Sequence, residues 1–206
     1  ALSDPAALFQ ADITHVGSMQ FSASGSGTEK TISLGSSPMM NWSFFDFGAL
    51  NAEWSIGLGK AIPLALEVDV SAGSATLDLA GLQLSSLRVE GGAGQCNLVL
   101  PAQGKAYTVT YRGSAGSANI TLPADTDVTL RLDGSAGSIN VRLPANAAVR
   151  LEVQDDGAGG LGLASSLKQI SGTAKKGVWE TEGYASAAHK ISIVVEDISA
   201  GSINIR

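Results

Sequence analysis

The chain has 206 residues with a formal net charge of −6, 44 % hydrophobic and 5 % aromatic residues, 25 glycines and one cysteine. That is enough apolar material for a sizeable core and too much for an intrinsically disordered chain, and the length suits one large or two small domains. The acidic balance without a Lys/Arg run excludes a nucleic-acid partner, the lone Cys96 excludes an internal disulfide framework and a multi-Cys metal site, and no apolar stretch approaches the roughly 18–20 residues of a transmembrane segment.

No basic-then-apolar leader opens the chain. It begins Ala1-Leu2-Ser3-Asp4 and reads either as a processed mature form or as a piece of a longer protein. Residues 1–42 read as an N-terminal segment, irregular or made of short strands. Ile32 and Leu34 suit one strand, and Ser22 to Gly27 a loop. Aromatics then concentrate: Trp42, Phe44, Phe45, Phe47 and Trp54 lie within thirteen residues. Alternation cannot place Phe44 and Phe45 on one side of a strand. The group is either a patch for a protein or sugar-polymer partner or a lid over the end of a repeat array, where terminal repeats are atypical.

From there a repeat dominates. Ala-Gly phrases place glycines at 73, 94, 116, 137, 159 and 201, at spacings of 21, 22, 21, 22 and 42. Apolar and polar residues alternate on both sides of each, as in Val128, Leu130 and Leu132 before Gly137 and Ile139, Val141 and Leu143 after it. Period two marks strands with one buried face. Each repeat therefore reads as two short strands joined at the Ala-Gly. Leu100-Pro101, Leu122-Pro123 and Leu143-Pro144 stop the ladder, because proline lacks an N–H. A two-strand unit cannot bury its own apolar face, and stacking does so. The expected fold is all-β, a β-solenoid of 21–22-residue two-strand turns, with a β-sandwich as the alternative. Its glycines should stack in chain order, with Gly201 in a terminal turn. Extending the register upstream puts Ala52 one period before Gly73 and inward slots on Trp54, Ile56 and Leu58. The repeat domain is thus expected over 43–206, with a degenerate turn at 171–189 and a short helical candidate at Ala185 to His189.

The stretch Ile62 to Arg206 resembles the toast-rack domain of LiaF-like "cell wall-active antibiotics response" proteins. Ile62-Pro63-Leu64, Leu77-Asp78-Leu79-Ala80-Gly81-Leu82, Gly92-Ala93-Gly94, Trp179-Glu180-Thr181-Glu182-Gly183-Tyr184 and Ala200-Gly201-Ser202-Ile203-Asn204-Ile205 carry the resemblance. It implies a β-solenoid-like fold on bacterial envelope-stress regulators or other envelope proteins, without enzymatic activity. LiaF-like regulators carry N-terminal membrane helices. The first 60 residues here are instead polar and Gly/Ser-rich, which resembles stand-alone members of unknown role.

Asn97, Asn119, Asn140 and Asn204 share the third position after the glycine and form an outward column. It reads as a stacked amide ladder, or else as a regular ligand face. Cys96 falls in an inward column and reads as a small buried hydrophobe. His15 and His189 have no ligand-type neighbours in sequence. Asp155-Asp156 reads as a solvated turn, since the Gly-Gly-x-Gly-x-Asp pattern of calcium β-rolls is missing. No cofactor, metal or catalytic residue is expected. The chain reads as a non-enzymatic structural or protein-interaction module of a bacterial cell-envelope protein, extracytoplasmic or secreted. The alternatives are an envelope-stress regulator domain that binds a membrane sensor protein, and a carbohydrate-binding or carbohydrate-active β-solenoid.

Overall fold

The computed structural model describes residues 2, 7–15, 17–26, 29–37, 52–155 and 157–206. The chain divides into two compact units, Leu2–Gly59 and Lys60 to Arg206. The first holds two antiparallel pairs. β1 (Phe9–Thr14) pairs with β4 (Glu53–Leu58), and β2 (Ser18–Ser24) pairs with β3 (Thr31–Ser37). Ile32 and Leu34 lie in β3, while Ser22 to Ser24, read as loop, extend β2. The rings of Phe9 and Phe21 lie 6.4 Å apart.

The upstream extension of the repeat register is not followed. Trp54 and Ile56 stand opposite Ile13 and Ala11 of β1, and both are exposed. The alternating pattern there serves an antiparallel pairing, which periodicity alone cannot tell from a parallel one.

The second unit is built on long parallel strands: β5 (Pro63–Asp78), β6 (Gln83–Val99), β7 (Tyr107–Thr121) and β8 (Val128–Arg142). Equivalent residues stand side by side, Asn97 beside Asn119 beside Asn140. This parallel, in-register ladder decides for the solenoid over the sandwich, whose sheets are antiparallel. Each strand runs unbroken through its Ala-Gly where two joined strands were expected. The glycine changes the strand's facing instead. In β8 the buried residues are even-numbered before it (Val128, Leu130, Leu132) and odd-numbered after it (Ile139, Val141). Simple alternation cannot switch parity, so the break falls at the Ala-Gly, where Gly73, Gly94 and Gly137 have positive φ. The apolar faces of the two arms then meet. Cys96, after the bend, lies close enough to Tyr111, before it, to add to the burial that raises the pKa of that phenol.

Beyond β8 the chain departs from sequential stacking. β9 (Val149–Val153) and β10 (Gly160–Leu163) form the next turn in sequence. The strand beside β8, however, is the C-terminal β13 (Ile191–Ile198), continued by β14 (Ser202–Ile205). β9 and β10 pair on its far side. The Leu-Pro corners record the swap. Leu100 N–H donates to Thr121 and Leu122 N–H to Arg142, each one turn on, but Leu143 N–H donates to Arg206. The reason is topological. After β10 the hairpin β11 (Lys168–Gly172) and β12 (Gly177–Glu180) turns back antiparallel on the outer side of β9. With that side occupied, the returning chain enters the slot between β8 and β9. One 3-10 turn, Tyr184–Ser186, stands where the short helix was expected.

The core is a set of aliphatic columns: Leu87, Val109, Leu130, Ile193 and Leu151 are 0–2 % exposed. Side chains complete the ladder at the corners. The Gln103 amide pairs with Leu84 like a strand residue, accepting from its N–H at 2.6 Å and donating to its carbonyl at 2.7 Å. The buried Thr126 hydroxyl accepts from the Gln103 N–H and donates to the Gln103 carbonyl.

Candidate functional site

Outward positions on a parallel stack repeat at strand spacing, about 4.7–4.9 Å, so identical polar side chains meet turn upon turn. Asn119 donates through Nδ2 to Asn97 Oδ1 at 2.9 Å, Asn140 to Asn119 at 3.3 Å and Asn204 to Asn140 at 3.2 Å. The C-terminal strand thus extends the ladder from β8. Ser138 and Ser202 hydroxyls meet beside it at 3.2 Å.

The outer face of the other arm carries charge. Arg88 bridges Glu67 at 3.7 Å and Glu90 at 2.6 Å. Arg112 faces Asp133, Arg131 meets Glu196 at 2.9 Å and Arg150 meets Glu180 at 2.6 Å. Apart from Arg88 with Glu90, two residues apart on β6, the partners of each pair lie on neighbouring strands.

Of the aromatic patch, Trp42, Phe44, Phe45 and Phe47 lie outside the described residues, and Trp54 is exposed on β4. Trp179 is buried on β12, and Tyr184 lies under Lys190 Nζ, 5.7 Å from the ring centre. Cys96 is buried, which pushes its thiol pKa up. Burial likewise raises Tyr107, whose hydroxyl donates to the Pro101 carbonyl, and pushes Tyr111 up to about 12. His189 lies 3.9 Å from Asp127, and His15 is exposed in the first unit. Asp155 caps a turn by accepting from the Gly157 N–H, and Asp156 lies outside the described residues. Among the described residues no three His, Cys, Asp or Glu side chains come together as a metal site.

Repeat counting treats all turns alike, and so passes over the one that differs. β5 has a strand neighbour, β6, on one side only among the described residues. Its inward Leu66 and Val68 are half-buried, where Leu87 and Val89 beside them are 2 % and 0 % exposed. Its outward residues include Glu67, Asp69 and Asp78, all exposed. The signal in the sequence was that acids crowd the first turn, while arginines enter only from the second.

The family model described as the N-terminal domain of toast_rack, DUF2154, matches residues 3–122. The chain belongs to the toast-rack family. The match begins near the start of the chain, so the family relationship takes in the first unit, which the resemblance from Ile62 onward left out. No curated protein matches the sequence. A crystal structure from Clostridium sporogenes, described as a "putative cell adhesion protein", shares the toast-rack fold. The identity is 15 % and the TM-score 0.61, over 96 % of this chain and 82 % of that one.

Proposed function

We infer that this toast-rack chain is a non-enzymatic protein-interaction module of a bacterial cell-envelope protein, working outside the cytoplasm. One observation carries the reading. The polar groups of the outward face engage one another from turn to turn, Asn with Asn and Arg with acid, as a self-supporting wall. Catalysis needs a nucleophile beside a base, or two carboxylates flanking a bond in a cleft; carboxylates already paired to arginines serve structure. The adhesion-related description of the Clostridium sporogenes protein agrees with this reading.

The test is retention on the immobilised full chain. Solubilised envelope proteins and purified cell-wall glycan are passed over it in parallel, with glycan breakdown followed by reducing ends. The expected result is saturable retention of an envelope protein and no glycan turnover. Glycan cleavage, or glycan retention without protein retention, overturns the reading.

A further inference from the structure

We propose that the edge of β5 left without a strand neighbour among the described residues is a docking site for an extended strand of a partner protein, one in which apolar residues alternate with lysine or arginine. This rests on the reading of the chain as a protein-interaction module and names where, and by what chemistry, the partner is held.

The edge is long, and among the described residues no strand pairs with it. β5 spans 16 residues. Natural sheets blunt such edges with proline, charge, bulges, brevity or a covering segment; the one register shift of β5 lies near its start, between Leu64 and Ala65. β5 carries its one proline at its first residue, Pro63, and its inward positions are apolar. At the far end of the array the edge strands β10 and β11 are only 4 and 5 residues long.

The edge is also shaped to be stacked upon. A Cβ on each interior glycine would run into the neighbouring turn: that of Gly94 into the Gly73 carbonyl, that of Gly116 into Gly94, that of Gly137 into Gly116. Gly73, like Gly94 and Gly137, has a positive φ (91°) and no side chain, yet a Cβ there meets nothing within 4 Å. A small residue opposite Gly73 completes the column, and apolar residues opposite Leu66 and Val68 cover them as Leu87 and Val89 are covered.

Charge selects the occupant. Glu67, Asp69 and Glu90 outnumber Arg88 on the outer face of the first two turns, and Asp78 adds a further carboxylate. Glu67 is answered by Arg88, but Asp69 stands beside Glu90, so an incoming strand offsets the acidic excess of this edge with a base beside Glu67 and another beside Asp69. A second copy of this chain paired through β5 would add its own Glu67 and Asp69 to an edge already in acidic excess, and like charges on adjoining strands are destabilising. Main-chain bonds would supply affinity, and alternate side chains specificity, as in strand addition generally.

The probe is a fluorescein-labelled peptide of about 12 residues, enough to lie along most of β5 at about 3.3 Å per residue. It alternates Val and Lys and carries a central Gly. A counterpart carries Glu for every Lys. Anisotropy titrations use the full chain, the E67K/D69K variant and, as a milder pair, E67Q/D69N; thermal melts confirm that each is folded. The Lys peptide should bind at least tenfold more tightly than the Glu peptide. E67K/D69K should invert that preference and E67Q/D69N should narrow it. Amide exchange should show new protection within Leu66 to Val70. Absence of saturable binding, equal binding of both peptides, or protection elsewhere overturns the proposal. So does concentration-dependent protection of β5 without peptide, accompanied by dimers in sedimentation, which would make the occupant a second copy. A failed titration alongside saturable retention of an envelope protein overturns the edge alone; failure of both overturns the interaction reading as well.

Discussion

Ile139 and Arg142 stand three residues apart on β8 and face opposite environments, 4 % exposed against fully outward. Ile139→Asp places an unpaired carboxylate in a dry stack and should cost several kcal/mol, enough to unfold a marginal domain. Arg142→Asp should stay within about 0.5 kcal/mol, as for an ordinary surface change. Equal losses in thermal melts would refute the register. The buried phenols set the alkaline limit. Tyr111, pushed up to about 12, and Tyr107, raised further, stay protonated in the fold at a pH where the unfolded chain has released both protons. Raised pKa values mean that their stabilisation is full below the unfolded value near 10 and is lost as pH rises towards the folded ones. Denaturant midpoints should therefore fall between about pH 10 and 12, and Tyr111→Phe should flatten that fall. An unchanged profile in the variant would assign the limit to other groups.

The strand and its neighbours set the next effects. Gly137→Ala and Gly201→Ala both drive a methyl into a neighbouring carbonyl, because Gly201 sits against Gly137 in mid-array. Gly73→Ala meets open space and suffers only its positive φ, a cost of about 1–2 kcal/mol. Melting temperatures should rank Gly73→Ala as mildest and the other two as comparably severe; a mild Gly201→Ala would return that glycine to a terminal turn. The amide ladder gives a second ranking. Asn119→Ala removes two inter-turn bonds and Asn204→Ala one, at about 1 kcal/mol each. Urea midpoints should fall further for Asn119→Ala, and the reverse order would deny the ladder any energetic role.

Across the second unit, β13 and β14 hold a place in the middle of the sheet. They fill a slot between β8 and β9, so their removal opens the sheet in its middle. A chain truncated after His189 should lose the cooperative melt and expose apolar surface to a hydrophobic dye. A truncated chain that kept its transition and merely lost a few degrees would mean that the last strand lies at an edge.

The sequence by itself determined the all-β class, the inward columns of the repeat, the place of the Ala-Gly bends in β5 to β8 and the burial of Cys96, because each of these is local. Alternation reports which face of a strand is buried, and a recurring glycine reports where the backbone must turn or be approached closely. The same information placed the four asparagines in one column, and strand spacing then obliged them to bond. What it could not contain was adjacency. A turn of 21 residues satisfies the same register beside any other turn, so nothing in the period says that Gly201 rather than Gly159 lies against Gly137. That choice was made by the β11–β12 hairpin, which covers β9 from outside and sends the chain back into the gap. Trp54 and Ile56 failed for a related reason: their alternation is real, but β1 captures it antiparallel. The β5 edge is likewise a property of the assembled sheet. A strand is an edge only because of what does not lie beside it, and tertiary packing alone decides that.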